Sequence, residues 1–121
     1  MPELLDQAAL DSLLQMVGGD ADFVDELVDT FLADVPHQLA GLRACVATGV
    51  AADAVRPAHT LKGTAASIGA RAVEAISRSI EQRARAGGAD GLEAQVEELA
   101  RALADLETAL AGARARRWTA T

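Results

Sequence analysis

The chain of 121 residues is poor in several residue types, and each shortage excludes a class of protein. A single cysteine cannot form an internal disulfide, which excludes a disulfide-stabilised scaffold. With only two histidines beside that cysteine, no metal site is predicted. Tyrosine is absent and aromatic residues make up 2% of the chain, so a surface that stacks nucleic-acid bases is excluded as well.

Long apolar runs and an N-terminal basic cluster are also missing. No apolar run approaches the roughly 20 residues that a membrane-spanning helix requires, so we expect no membrane association. The N-terminal MPELLDQ lacks the basic residues of a secretory signal, and the expected location is therefore the cytoplasm. The net charge of −7 argues against binding to nucleic acid, because the phosphates would repel an acidic protein.

Alanine is abundant, and because it is the strongest helix former it favours an all-α fold. Apolar residues recur at helical spacing in five segments, which cover residues 6–17, 21–48, 52–68, 70–86 and 90–113. Short connections between long amphipathic segments predict an up-down four-helix bundle over residues 21–113. Residues 6–17 would form a short N-terminal capping helix, and residues 114–121 a basic, frayed tail.

Individual residues set the expected ends of these helices. Asp20 is suited to cap the second helix, and Pro36 predicts a kink within it. Pro57 favours a first turn, so we expect the regular third helix to begin late or to bend there.

Trp118 in the tail is expected either to dock on the bundle or to be loose, and the sequence leaves both open.

The expected core consists of one apolar stripe on each long helix. The stripes are Phe23, Leu27, Phe31, Val35, Leu39, Leu42 and Val46 on the second helix, Ala54, Ala58, Leu61, Ala65 and Ile68 on the third, Val73, Ile76, Ile80 and Ala84 on the fourth, and Leu92, Val96, Leu99, Leu103, Leu106 and Leu110 on the fifth.

Charge is unevenly distributed along the chain. Residues 1–40 contain nine acids and neither Lys nor Arg, which we interpret as a solvated face. Ten of the eleven basic residues are Arg, and the only lysine is Lys62. Since lysine presents a compact point charge on a flexible stem, this exception suggests a specific role.

The third helix carries the candidate chemistry. At 100° per residue, His59, Lys62, Gly63 and Ala66 share one face outside the core stripe. Gly63 costs about 1 kcal/mol relative to alanine inside a helix, which favours a close approach of another molecule. From the residues alone two interpretations remain, a reactive histidine or an ordinary surface histidine beside a solvated lysine. No role is expected for His37.

The segment AHTLKGTAASIGA, residues 58–70, resembles the signature of histidine phosphotransfer (HPt) domains, which reads A-H-x-L-K-G followed by small residues, an aliphatic residue and a glycine. The segment LLQMVGGDADFVDELVDTFLADVP is similar to the entry segment of that family. The resemblance covers roughly residues 6–112 and implies a single HPt-like domain over residues 1–121. The same motif occurs in the phospho-acceptor domain of chemotaxis kinases.

The resemblance implies that His59 accepts a phosphoryl group and donates it onward, which suits a neutral imidazole as a nucleophile. Lys62 would balance charge on the phosphoryl oxygens. A partner-approach surface would consist of Gly63, Ala66 and Ala70.

Glu81 occupies the position where the family often has Gln or Glu facing the reactive histidine. A carboxylate that accepts the Nδ1–H of His59 would fix the tautomer and leave Nε2 free. The alternative is a surface charge paired with Arg78 or Arg85.

The resemblance also implies the partners, a sensor histidine kinase and the receiver domain of a response regulator. The receiver would supply the acceptor aspartate and Mg²⁺, so no cofactor of the chain's own is expected. There is no Walker-type phosphate loop, and Thr60 follows the histidine where sensor-kinase dimerisation domains have an acid. We therefore expect a monomeric phosphoryl carrier rather than an enzyme. The alternative is a degenerate HPt-like adaptor or dimerisation module without phosphotransfer.

Overall fold

The computed structural model describes residues 2–121, and within them the chain forms five α-helices and no strand. They are α1 (Gln7–Met16), α2 (Ala21–Thr48), α3 (Val55–Ile68), α4 (Arg71–Arg85) and α5 (Leu92–Ala115). The predicted all-α class is confirmed for these residues, and the helix ends agree with the predictions to within a few residues. None of the described helices has both the length and the apolar character needed to cross a membrane.

The ends of α2 and α3 follow from their sequence. The side chain of Asp20 accepts a hydrogen bond from the Phe23 amide at 3.2 Å, which confirms the predicted cap. A 3₁₀ turn, Ala51–Ala54, precedes α3. This late start places Pro57 in the first turn. Amides of the first turn have no acceptor within the helix, so the missing N–H of proline costs no hydrogen bond there. Helix α2 continues as an α-helix through Pro36, and the kink there stays a prediction.

Gly69 forms the corner between α3 and α4. Its φ of +76° lies in the left-handed region, and a Cβ there would lie 2.7 Å from the Cβ of Ala9 and 3.0 Å from the carbonyl oxygen of Asp6. The Asp6 amide donates to the carbonyl oxygen of Gly69 at 2.8 Å, and the Arg71 Nε lies 3.1 Å from the Asp6 carboxylate. The start of α1 is therefore fixed against this corner, and only glycine fits there.

Helices α2 to α5 contact one another in a closed ring, α2 with α3, α3 with α4, α4 with α5 and α5 with α2. The contact between α3 and α4 is the most extensive, and α1 packs against α3 and α2. The buried apolar side chains of these helices form one core. The up-down order of a four-helix bundle with α1 as its cap stays a prediction.

The predicted core stripes are confirmed on α3 and α5, where every predicted position is buried. On α4 three of the four are buried, and Ile76 is partly buried. The stripe on α2 is partly wrong, because Phe23 is 48% exposed whereas Val24 and Val28 are buried. Helix α1 and the C-terminal tail pack on this part of α2, and periodicity does not reveal which face they cover.

The C-terminal tail packs against the start of α2. Trp118 is fully buried, and its indole N–H donates to the Asp25 carboxylate at 2.8 Å. The Gln7 side chain donates to the carbonyl oxygen of Trp118, and Arg117 pairs with Asp22 and Asp25. The expectation of a frayed tail is therefore wrong as far as Trp118, and part of the acidic N-terminal region is ion-paired rather than only solvated.

Candidate functional site

Helix α3 presents His59 on the side opposite its core contacts. Ala58, Leu61 and Ala65 are buried against the neighbouring helices, and this fixes the rotation of α3 about its axis. The His59 side chain is consequently 63% exposed. The sequence prediction of a surface histidine on this helix is confirmed.

Glu81 brings a carboxylate from α4 to this histidine. It lies beside the buried Ile80 on α4, and its side chain is only 6% exposed. The Nδ1 atom of His59 lies 3.0 Å from Oε2 of Glu81, within hydrogen-bond distance. The alternative of a simple surface charge is therefore wrong, although the predicted pair with Arg85 is also present.

Two cations hold the same carboxylate. The Lys62 Nζ lies 2.6 Å from Oε1, an atom that has no other donor, and Arg85 donates to Oε2 through Nη2 at 2.8 Å and Nε at 3.2 Å. These two partners, Lys62 foremost, outweigh the cost of burial and lower the pKa of Glu81 from 4.5 to about 2, with a smaller contribution from His59. Glu81 is therefore ionised at neutral pH.

The ionised state of Glu81 determines which His59 nitrogen carries a proton. An ionised carboxylate only accepts hydrogen bonds, so the Nδ1 atom that faces it must carry a hydrogen. In a neutral imidazole the other nitrogen, Nε2, then has a free lone pair. The arrangement can therefore present a nucleophilic nitrogen to solvent on a side chain held from behind by a buried charge.

The small residues predicted to surround His59 divide into two groups. Gly63 is exposed, and a Cβ added there would have no atom within 4 Å, while Ala66 is partly exposed. Ala70 is fully buried, so its assignment to a partner-approach surface is wrong. Its amide donates to the carbonyl oxygen of Ala65 as the chain turns at Gly69, and this turn directs the Ala70 side chain into the core.

The large apolar side chains of Met16 and Phe23 are exposed, and the apolar pattern of the sequence does not predict either exposure. Met16 is 82% exposed and Phe23 is 48% exposed. A groove lined by Met16, Leu27 and Ala66 runs between α1, α2 and α3. Apolar periodicity places Phe23 in the core stripe. Only the packing of α1 beside α2 shows that this side chain is exposed rather than buried. Among residues 2–121 no cluster of three or more His, Cys, Asp or Glu side chains is arranged to hold a metal ion.

The fold and the site together define a class, a helical protein with an exposed histidine oriented by a buried carboxylate. The family model of the Hpt domain matches residues 26–109, and the chain belongs to this family. His59, Lys62 and Glu81 all lie within the matched range.

Two solved structures are similar to this chain. One is histidine-containing phosphotransfer protein B (HptB) from Pseudomonas aeruginosa PAO1, with 28% identity and a TM-score of 0.85, covering 96% of this chain and 98% of that chain. The other is the HPT domain of a sensor hybrid histidine kinase from Shewanella, with 18% identity and a TM-score of 0.72, covering 92% and 97%. The second likeness shows the fold alone. None of the curated proteins compared with the sequence matches it.

Proposed function

We propose that the chain is a phosphoryl carrier that accepts a phosphoryl group on Nε2 of His59 and exchanges it with an aspartate of a receiver domain. The observation that carries the proposal is the 3.0 Å contact between His59 Nδ1 and the buried Glu81 carboxylate. This contact directs Nε2 away from Glu81 on an exposed side chain. Membership of the Hpt family and the likeness to HptB support the same conclusion.

The transfer step follows from this arrangement. The lone pair of Nε2 attacks the phosphorus of an aspartyl phosphate, a P–N bond forms, and the P–O bond to the aspartate breaks with its electrons left on that carboxylate. The imidazole becomes a cation that keeps its Nδ1 hydrogen, and Glu81 stabilises this charge. Attack by a receiver aspartate reverses the step. Mg²⁺ and the reacting aspartate belong to the partner, so the chain is a carrier rather than a complete enzyme.

Lys62 is proposed to balance charge on the phosphoryl group. It lies one turn after His59, and its ammonium is held 2.6 Å from Glu81. A phosphoryl group on His59 would compete with Glu81 for this cation, which its flexible stem allows.

The receiver domain is proposed to dock across the exposed face of α3 and onto the adjoining groove. Gly63 leaves open space beside His59, and Ala66 connects this face to the groove that Met16 and Leu27 line. A continuous surface of small and apolar residues suits a partner that must bring its acidic pocket close to the helix. Replacing Met16 with Glu should weaken docking, whereas Ala104→Glu on the exposed side of α5 should not.

The proposal extends to the helix arrangement, the partners and the location of the protein. The closed ring of contacts among α2 to α5 supports an up-down four-helix bundle with α1 packed against it as a cap. The partners are a sensor histidine kinase and a receiver domain, and a carrier between them is expected in the cytoplasm as a monomer.

The decisive experiment incubates the protein with phosphorylated receiver domains and Mg²⁺ and tests for acid-labile, base-stable phosphate. His59→Gln is the matched variant, and His37→Gln is the control, since His37 is an exposed histidine on α2. We expect label on the wild type and on His37→Gln but not on His59→Gln, with equal helicity by circular dichroism. No label on the wild type across a panel of receivers and kinases would favour the adaptor alternative.

A further inference from the structure

Arg56 lies one helical turn before His59, and its side chain is exposed. Residues three apart on a helix lie on the same side, with their Cβ atoms about 5–6 Å apart. Helical side chains lean toward the N-terminus of their helix, so the imidazole of His59 leans toward the turn that carries Arg56. A group attached to His59 would therefore lie on the same side of α3 as the guanidinium of Arg56, which a long flexible side chain carries.

The other cations of the chain are mostly engaged. Of the eleven basic residues, nine form an ion pair with a carboxylate or donate to a backbone carbonyl, and these are Arg43, Lys62, Arg71, Arg78, Arg83, Arg85, Arg114, Arg116 and Arg117. Within residues 2–121 only Arg56 and Arg101 have no such partner. Of these two, Arg56 adjoins His59, whereas Arg101 lies on α5 beside the Ile76 side of α4.

We propose that Arg56 binds the phosphoryl oxygens when His59 carries the phosphoryl group, an inference that rests on the proposed function. The planar guanidinium presents paired N–H donors that match the oxygens of a phosphoryl group. Lys62 and Arg85 must weaken their contacts with Glu81 before they can serve such a group. Arg56 gives up only its hydration, so it can bind without disturbing the contacts that orient His59.

This role distinguishes Arg56 from the other cations around His59. Arg85 holds Glu81 and acts on the imidazole through it, and Lys62 must leave Glu81 to serve the phosphoryl group, whereas Arg56 serves that group without a competing partner. The Asp53 side chain lies one turn before Arg56 and forms no ion pair with it, so the guanidinium is not neutralised from that side. Arg56 should therefore favour the phosphorylated state of His59 without changing the stability of the fold.

The test measures how the phosphoryl group is distributed between a receiver domain and the carrier at equilibrium, with Mg²⁺ present. Arg56→Gln removes the cation, Arg56→Lys keeps the charge without the paired donors, and Arg101→Gln is the matched control. We expect Arg56→Gln to lower the equilibrium constant for phosphoryl transfer from the receiver to the carrier by about two- to fivefold. This is the size expected for one solvent-exposed ion pair. Arg56→Lys should fall between it and the wild type, and Arg101→Gln should match the wild type.

A second measurement separates contact with the phosphoryl group from an effect on docking. A ³¹P titration of the isolated phosphoprotein should give a higher phosphoryl pKa in Arg56→Gln than in the wild type, because a nearby cation favours the dianion. An equilibrium constant and a phosphoryl pKa equal to those of Arg101→Gln would overturn the assignment of Arg56 alone. A wild-type protein that takes no label would overturn the proposed function, and the role of Arg56 with it.

Discussion

The imidazole of His59 rests on the carboxylate of Glu81, with Nδ1 and Oε2 3.0 Å apart, and the two side chains differ sharply in exposure. Glu81 is 6% exposed and His59 is 63% exposed. A buried charge therefore orients an exposed imidazole, and Lys62 and Arg85 offset the cost of burying that charge. The charge on Glu81, not only its hydrogen-bonding oxygen, should matter for the transfer of a phosphoryl group.

Replacing Glu81 with Gln tests the role of that charge. The amide oxygen can still accept from Nδ1, but the cationic imidazole loses its counter-charge and Lys62 and Arg85 lose their shared anion. We expect single-turnover phosphotransfer to slow about 10- to 100-fold, as for the loss of a hydrogen bond to a charged group. Glu97→Gln, which alters the exposed pair with Arg43, is the control. Transfer by Glu81→Gln at the wild-type rate would contradict a role for the charge.

The same carboxylate should shape the acid stability of the protein. The folded state lowers the pKa of Glu81 from 4.5 to about 2, chiefly through Lys62. Because the pKa is lowered on folding, its contribution to stability is fully present above about pH 4.5 and is lost as the pH falls toward 2. Urea denaturation at a series of pH values should show wild type and Glu81→Gln converging over this interval. If the free energies of unfolding of the two proteins instead change in parallel with pH, the pairing of Glu81 with Lys62 and Arg85 does not stabilise the fold.

Replacing Gly63 with Gln tests the docking of a receiver domain separately from the stability of the fold. A Cβ at this position meets no atom within 4 Å, and glutamine is a better helix former than glycine. Gly63→Gln should therefore leave stability unchanged or raise it by about 0.5 kcal/mol. Its side chain should nevertheless slow transfer by obstructing the receiver beside His59. Urea denaturation and transfer rates on the same preparation test both halves, and a wild-type transfer rate would remove Gly63 from the docking surface.

Gly69 and Gly49 form a matched pair at the ends of two helices. Their φ angles are +76° and +75°, so an alanine at either position incurs similar backbone strain, of about 1 kcal/mol. Only at Gly69 does the new Cβ also collide, 2.7 Å from Ala9 and 3.0 Å from the carbonyl oxygen of Asp6. We expect Gly69→Ala to lower the free energy of unfolding by about 1–3 kcal/mol more than Gly49→Ala does. If both variants lose the same free energy of unfolding, α1 moves away from the new methyl group without an energetic cost.

The buried indole of Trp118 should make the tail a substantial part of the fold. Arg117 and Trp118 adopt positive φ angles of 54° and 71°, which are uncommon for residues other than glycine, and burial of the indole offsets this strain. Trp118→Ala should lower the free energy of unfolding by about 3–5 kcal/mol, as for other buried aromatic side chains. Arg116→Ala, at an exposed neighbouring position, should change it by less than about 0.5 kcal/mol. A small effect of Trp118→Ala would show that the tail contributes little.

Much of this protein follows from local properties of its sequence. Alanine content and glycine breaks define five helices, and the heptad spacing from Leu92 to Leu110 predicts a fully buried face of α5. The spacing of His59, Lys62 and Gly63 within one helix also places them on one face, because helical geometry alone relates them. The resemblance to the HPt motif then predicts His59 as the phospho-acceptor and Glu81 as its partner.

Tertiary packing decided the features that depend on contacts between distant segments. The chain direction after Gly69 buries Ala70, which the resemblance places on the partner-approach surface. The packing of α1 and the tail on α2 leaves Phe23 exposed, against the apolar periodicity, and buries Trp118, for which the sequence leaves both outcomes open. The sharing of Glu81 among His59, Lys62 and Arg85 required α3 and α4 in register. Periodicity reports which face of a helix is apolar, but only the assembled fold determines what covers that face.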